Sequence, residues 1–441
     1  MQERLGGRRR QLTVEHMYRE QEMANIPGKP AYDDVSLSHF GFWTATAEER
    51  EESFGDLRAR PGLSWQPPIE GSLVDPSEPG YWAVLRHADI RTVSRDQQTF
   101  CSGRGVQMED FPPPVLEASH SFLAMDDPRH AKLRKIISSA FTPRRVAQIE
   151  EQIRGQAERI VDELIEHGDG DFVQIVAKRL PQWTIYDMVG LPESERDKAT
   201  HAADGMVSWN DEEVASGRSP LEVLQESLEV LHAMATELAE ARRVQPCDDL
   251  MTSLVEAEVE GERLTTHEIA SFFVLLSVAG NDTTRNTITH TMKALTDFPD
   301  QRKLLMDDFD GRIGPAIDEF VRWASPVMTF RRTVTRDTEL SGQRLSEGDK
   351  VVMFFASGNR DEAVFERPRV FDVTRKPNDH LGFGGGGVHF CMGSNLARTQ
   401  LRAIFHQLFT RVPDIRVGQP VPLVGNFVHA VKSIPCTLNR D

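Results

Sequence analysis

The stretch His380–Arg398, HLGFGGGGVHFCMGSNLAR, decides how the rest of the chain is read. Four consecutive glycines, Gly384–Gly387, let the backbone come very close to something flat or anionic. Val388, His389 and Phe390 lead to Cys391, and from about Met392 the apolar Ala397, Leu401 and Ile404 recur at helical spacing. A cysteine at a helix N-terminus sits at the positive end of the helix dipole, which favours the thiolate. Backbone N–H groups just after it, such as that of Gly393, can bond the sulfur. A thiolate held this way is a good axial ligand for haem iron, and such ligation helps to cleave the O–O bond of dioxygen. Three plainer readings compete. They are a phosphate-binding turn, although no Lys-Ser/Thr follows the glycines, a buried inert cysteine, and a merely flexible turn.

The chain has 441 residues, with 51 Lys and Arg against 68 Asp and Glu, a net charge of −17. That balance argues against nucleic acid as a partner and against docking on an anionic membrane. Cys101, Cys247, Cys391 and Cys436 are scattered and form no CxxC, which disfavours a zinc site or a disulfide framework. No apolar run follows the charged start Met1–Gln11, so no secretory signal is expected. The longest apolar stretch, around Phe272–Ala279, is far shorter than the ~20 residues of a membrane span. The expectation is a cytoplasmic protein without a membrane anchor. Residues 1–36 are polar without a clear period and read as a loosely held arm; 37–441 read as a single domain.

Tyr81–Leu85 (YWAVL) reads as a strand and Ala88 to about Asp96 as a helix. Gly103–Glu117, with Pro112–Pro114, reads as a long surface loop carrying Val106, Met108 and Phe111. The pattern is helical from Pro128 to about His167, broken near Pro143. Ser219, Pro220 and Glu222 mark another helix start, running to Arg243. The clearest helix opens on a capping box, Thr265 and Glu268, and continues to about Phe298, where Pro299 stops it. At ~33 residues it is ~50 Å long. Being apolar nearly all round in its first half, it should run through the middle of the protein. Strand-like segments at Met328–Arg336 and Lys350–Phe355 complete a mainly α chain with a small β component late in the sequence.

On the long helix lies Ala279-Gly280-Asn281-Asp282-Thr283-Thr284. Glycine costs ~1 kcal/mol in a helix interior, so something should require Gly280, such as a planar group lying against the helix. Thr283 can bond back to a carbonyl one turn earlier and open the helix into a groove for dioxygen and water, with Asp282 relaying protons. The plainer reading is a helix N-cap or a solvated face. Glu319 and Arg322, at i and i+3, can pair on one face. His130 and Arg134 face one way and could hold a dianionic ligand, or form a solvated basic face.

Taken in order, AGNDTT, EFVR, NRD at Asn359–Asp361 and GFGGGGVHFCMG make the chain resemble the cytochrome P450 family from about Phe42 onward. The resemblance implies a triangular, mainly helical fold with a small β-rich lobe, and a buried haem b with Cys391 on its iron. It implies that Glu319 and Arg322 lock the core beneath the haem. His130, Arg134, Arg332 and His389 match positions that bond the propionates. Ala279, Gly280, Phe383, Gly384 and Gly393 are expected against the haem. Asp282 and Thr283 match the acid–alcohol pair that delivers protons to dioxygen. In the commoner family loop the Phe stands one residue nearer the Cys; the fourth Gly after Phe383 resembles the actinobacterial branch that oxidises methyl-branched lipids and sterol side chains.

The resemblance implies insertion of one oxygen atom of dioxygen into a C–H bond. No reductase region is fused, so electrons are expected from NAD(P)H through a separate ferredoxin reductase and ferredoxin. Lys132, Lys135, Arg144 and Arg145 are candidate docking cations for a protein expected to be a monomer. Val106, Met108, Phe111, Leu275, Val278, Val327, Met328, Phe330 and Phe427 are expected to line an uncharged substrate pocket. Such a pocket suits a branched apolar chain entering end-first, with a sterol side chain as runner-up. A haem-based sensor is the alternative of another class, although a sensor has no need of the Asp282–Thr283 relay.

Overall fold

The computed structural model describes residues 28–438 apart from 75, 77, 113–114, 116–120, 139–140, 142, 210 and 260. The helices that frame the site are α1 (His87–Arg95), α2 (Arg129–Ser138), α3 (Pro143–His167), α4 (Arg179–Val189), α5 (Glu193–Val207), α6 (Pro220–Val244), α7 (Thr266–Asp297), α8 (Phe309–Ala324) and α9 (Ser394–Arg411). A sheet is built from β1 (Ser64–Gln66), β2 (Tyr81–Val84), β3 (Phe100–Cys101), β4 (Thr329–Val334) and β5 (Lys350–Phe354), in the order β1-β2-β5-β4-β3. The fold is mainly helical with a small β lobe, and among the described residues no helix is long and apolar enough to cross a membrane.

Helix α7 is the axle. Thr265 accepts from the Glu268 N–H at 3.2 Å, and the Glu268 carboxylate accepts from the Thr265 N–H at 2.9 Å, so the expected capping box forms. The helix ends one residue before Phe298. Ile269–Val274 are all buried, because α7 packs against α4, α5, α6 and α8 on several sides at once. The Ser219–Glu222 box opens α6 in the same way. The break near Pro143 separates α2 from α3 as the proline requires.

The strands are not concentrated late in the chain: β1, β2 and β3 all precede residue 102. At three and two residues, β1 and β3 are too short to show a period of two. Strand β5 pairs parallel to β2 (Val351 opposite Trp82) and antiparallel to β4 (Val351 opposite Arg332). The arm expected to be loose over 1–36 is fastened where it is described. Lys29 pairs with Asp349, and Tyr32 donates to the Pro79 carbonyl at 2.6 Å and stacks on Trp65. Residues 1–27 lie outside the described residues. Residues 102–112 form no helix or strand, as expected of the long loop, but Val115, inside the expected Gly103–Glu117 span, is helical.

Candidate active site

The glycine loop is folded back on itself ahead of α9. The Cys391 N–H donates to the Phe383 carbonyl at 2.9 Å, and the Gly384 N–H to Leu381 at 2.8 Å. The glycines are needed for two reasons. Gly384, Gly386 and Gly387 have φ of +98°, +92° and +77°, which L side chains resist. The loop also lies on the end of α1: a Cβ on Gly387 would come within 2.4 Å of the Ser94 carbonyl oxygen. Gly393 is the N-cap of α9, and its N–H bonds the Cys391 sulfur. Cys391 lies deep in the protein, and its exposed surface opens onto a cavity. Burial pushes its thiol up, outweighing the Gly393 N–H and the Arg134 charge that pull it down. The helix end alone therefore does not secure the thiolate; a bound cation would.

That cavity, counted with the open space at its mouth, takes in about 1530 Å³. Phe383, Gly384, Cys391 and Gly393 form one side, and Leu275, Ala279, Gly280 and Thr283 of α7 the other. Phe330 and Arg332 of β4, two apart and so on one face of the strand, close a third. Basic groups gather at one edge. The His130 and His389 rings stand 4.3 Å apart, and Arg134 and Arg332 depress His389 electrostatically, adding to its burial. Neither ring nitrogen of His130, nor Nδ1 of His389, makes a hydrogen bond among the described residues, although Asp127 lies 3.5 Å from His130 Nδ1. Burial holds Arg332 down to about 10.

On α7, the Thr283 hydroxyl donates to the Ala279 carbonyl at 2.9 Å, yet the helix runs on unbroken instead of opening. Gly280 lines the cavity, but α4 is what excludes a side chain there: a Cβ would sit 2.5 Å from Ile185 Cγ1 and Cδ1. Asp282 is 2% exposed. It pairs with Arg285, which donates on to Asp204 at 2.9 Å. Burial pushes Asp282 up to about 6 against the pull of Arg285. The i,i+3 spacing could have revealed Arg285; Asp204, on α5, leaves no signal in sequence.

A family model for cytochrome P450 matches residues 218–412. The methyl-branched lipid omega-hydroxylase of Mycobacterium tuberculosis (strain ATCC 25618 / H37Rv) is 43% identical over 410 residues, covering 92% of this chain and 94% of that protein. The steroid C26-monooxygenase of Mycolicibacterium smegmatis is 38% identical over 404 residues, covering 90% and 92%. Among solved structures, Mycobacterium marinum cytochrome P450 CYP268A2 in complex with pseudoionone superposes with a TM-score of 0.91 at 56% identity, covering 93% of this chain and all of that one. The chain belongs to the cytochrome P450 family. As a P450 monooxygenase it implies haem iron and dioxygen. The residues present fit a haem: the Cys391 sulfur opens onto the cavity, and at its edge gather Arg134, Arg332 and histidine nitrogens that make no hydrogen bond among the described residues.

In this P450 a second cavity, with about 1290 Å³ of empty space, adjoins the first and shares Leu275, Ala279, Thr283, Val327 and Phe330 with it. Asp282 and Thr283 both reach it. Val106, Phe111, Leu275, Val278, Val327, Phe330 and Phe427 line it. Met108 and Met328 do not. They are 2% and 4% exposed, packed with Leu37 and Trp43 behind the sheet. Neighbouring residues of an extended segment face opposite ways, so Val327 toward the cavity sends Met328 into the core. The lining is also not free of charge, since Arg104, Glu109, Asp110 and Arg331 border it. On α8, Glu319 and Arg322 are fully buried and paired, and Asn359 accepts from the Leu381 N–H at 2.6 Å, anchoring the start of the glycine loop. Helix α2 abuts the loop, with Arg134 donating to the Phe390 carbonyl. It carries Lys132 and Lys135; the side chains of Arg144 and Arg145 lie outside the described residues.

Proposed function

We propose that this P450 hydroxylates an apolar, branched chain at or near a terminal methyl. Cys391 would hold the haem iron, and His130, Arg134, Arg332 and His389 its propionates. Ala279, Gly280, Phe383, Gly384 and Gly393 would line its faces. Bound there, the haem supplies activation of dioxygen, one atom of which enters the substrate while the other leaves as water. The chain's own part is to orient, to exclude water and to move protons. Asp282, close to half-protonated near pH 6, can release and regain a proton. Thr283 stands beside it on the wall that the two cavities share, with its hydroxyl oxygen free to accept.

The observation that carries the substrate class is the mainly apolar second cavity opening on that wall. Phe330 and Phe427 meet edge to face at 5.3 Å, narrowing the approach. A narrow apolar passage admits a chain end-first, and each buried CH₂ adds ~0.8 kcal/mol. The relatives support this: one is named for methyl-branched lipids, and a structural neighbour holds pseudoionone, an isoprenoid. A steroid side chain is the second reading, favoured by the steroid C26-monooxygenase at 38% identity. Electrons would come from NAD(P)H through a ferredoxin reductase and a ferredoxin docking near Lys132 and Lys135, beside the cysteine loop.

Optical titration of the haem protein with branched isoprenoids, linear fatty acids, sterols and polar macrolides tests the reading. Branched apolar chains should shift the spectrum at the lowest concentrations. A shift from macrolides with none from branched chains contradicts it. The reduced protein with carbon monoxide should give the red-shifted band of a haem thiolate, absent in Cys391→Ser.

A further inference from the structure

The second cavity does not end behind Phe427. A third, with about 1180 Å³ of empty space, runs outward past Trp209 to Phe40, which is 53% exposed. Gln107, Glu109, Met206, Val278, Phe427 and Val428 border both the second and the third, so they form the neck between them. Glu109 is the one charged residue of the six. Asn426, 7% exposed and itself lining the outer cavity, donates from Nδ2 to Glu109 Oε1. The Asn426 carbonyl accepts from the Thr329 hydroxyl at 2.8 Å, which fixes the pair to the sheet. The carboxyl is thus held at the neck.

A carboxyl inside a protein is costly unless partnered. Burial and Asp110 push Glu109 above the usual carboxylate range, while Asn426 and Lys350 pull it back. Two of the neighbouring cations are engaged by Asp110. Arg331 donates to one oxygen of Asp110 at 2.5 Å and Lys350 to the other at 3.0 Å. Tyr81 faces Glu109 from β2, Glu70 lines the outer cavity, and Arg104 and Asp282 line the inner one.

We propose that Glu109, positioned by Asn426, is a specificity-determining subsite: it hydrogen-bonds an uncharged oxygen function, a hydroxyl or a carbonyl, at the trailing end of an apolar substrate and disfavours a carboxylate there. The inference rests on the reading of the inner cavity as the place where a chain end is oxidised. Protonated Glu109 donates to either oxygen, and ionised Glu109 accepts from a hydroxyl. A carboxylate meets like charge once Glu109 ionises, with Arg331 occupied by Asp110.

The test uses the haem-loaded protein and four probes sharing one branched isoprenoid chain, ending in hydrogen, a primary alcohol, a methyl ketone or a carboxylate. Dissociation constants come from calorimetry and optical titration between about pH 6 and about pH 8. The alcohol and ketone should bind about tenfold more tightly than the hydrocarbon. The carboxylate should bind more weakly than the alcohol. Glu109→Gln should raise carboxylate affinity about tenfold; Glu109→Leu should erase the advantage of the alcohol. Equal binding of carboxylate and alcohol by the unaltered protein across the range overturns the subsite. So does a Glu109→Gln protein with an unchanged ratio. The comparison of the four probes on the unaltered protein decides the matter even if neither variant folds. If none of the four chains binds, the proposed function itself fails and the subsite with it, a result distinct from chains that bind without discrimination.

Discussion

Arg322 grips Glu319 with two parallel hydrogen bonds, Nε to Oε2 and Nη2 to Oε1, each 2.7 Å long, and both side chains are fully buried. Arg322 Nη1 also donates to the carbonyls of Asn359 and Pro368 at 2.9 Å, and Arg375 donates to Glu319 Oε2 at 3.1 Å. The pair ties α8 to the irregular chain that leads into the cysteine loop.

Removing Arg322 strips a buried carboxylate of its two-pronged partner and leaves Glu319 the longer bond from Arg375. Arg322→Ala should therefore cost about 3–5 kcal/mol in denaturant unfolding. Haem retention should fall with it. A loss within about 0.5 kcal/mol, the scale of an ordinary surface change, would show the pair to be dispensable.

Asp282 and Thr283 should separate in their effects. Thr283→Ala should keep haem and substrate binding but divert electrons to peroxide; Asp282→Asn should slow turnover by ~10²–10⁴-fold. Stability carries a further signature. Folded Asp282 titrates at about 6, whereas an unfolded aspartate titrates near ~3.9. Between these values the folded state binds more protons, so this group's contribution to stability falls as pH rises through the window and then levels off. Thermal unfolding of Asp282→Asn across that window should lack this fall.

Gly280→Ala places a methyl 2.5 Å from Ile185. Overpacking of this kind costs about 1–3 kcal/mol. In an Ile185→Ala background, which removes the opposing atoms, the added cost of Gly280→Ala should shrink, read as a coupling in a double-mutant cycle.

Met108 and Phe330 should part company for the opposite reason. Met108→Ala should lower stability by about 2–5 kcal/mol and leave the affinity for branched chains unchanged. Phe330→Ala should change affinity and the position of oxidation.

Much of this was legible in the sequence because it rests on short-range physics. The capping boxes at Thr265 and Ser219 fix helix starts within four residues, and the glycine loop with Cys391 is a local motif. What was not legible depends on distant packing. The partner that forbids a side chain at Gly280 is Ile185, far away on α4. Whether Met108 faces the cavity or the core is set by Leu37 and Trp43. Glu109 gave no signal, because an acidic residue in a loop looks solvated until Asn426, far along the chain, is folded against it.

The most direct test of the account is product analysis of a single turnover. The haem protein, supplied with a ferredoxin and its reductase, is given a branched isoprenoid chain under isotopically labelled dioxygen. The account predicts one labelled oxygen in a hydroxyl on the terminal methyl carbon, located by mass spectrometry of the fragments. Label placed predominantly at carbons inside the chain, or a bound chain left unoxidised while peroxide accumulates, would contradict it.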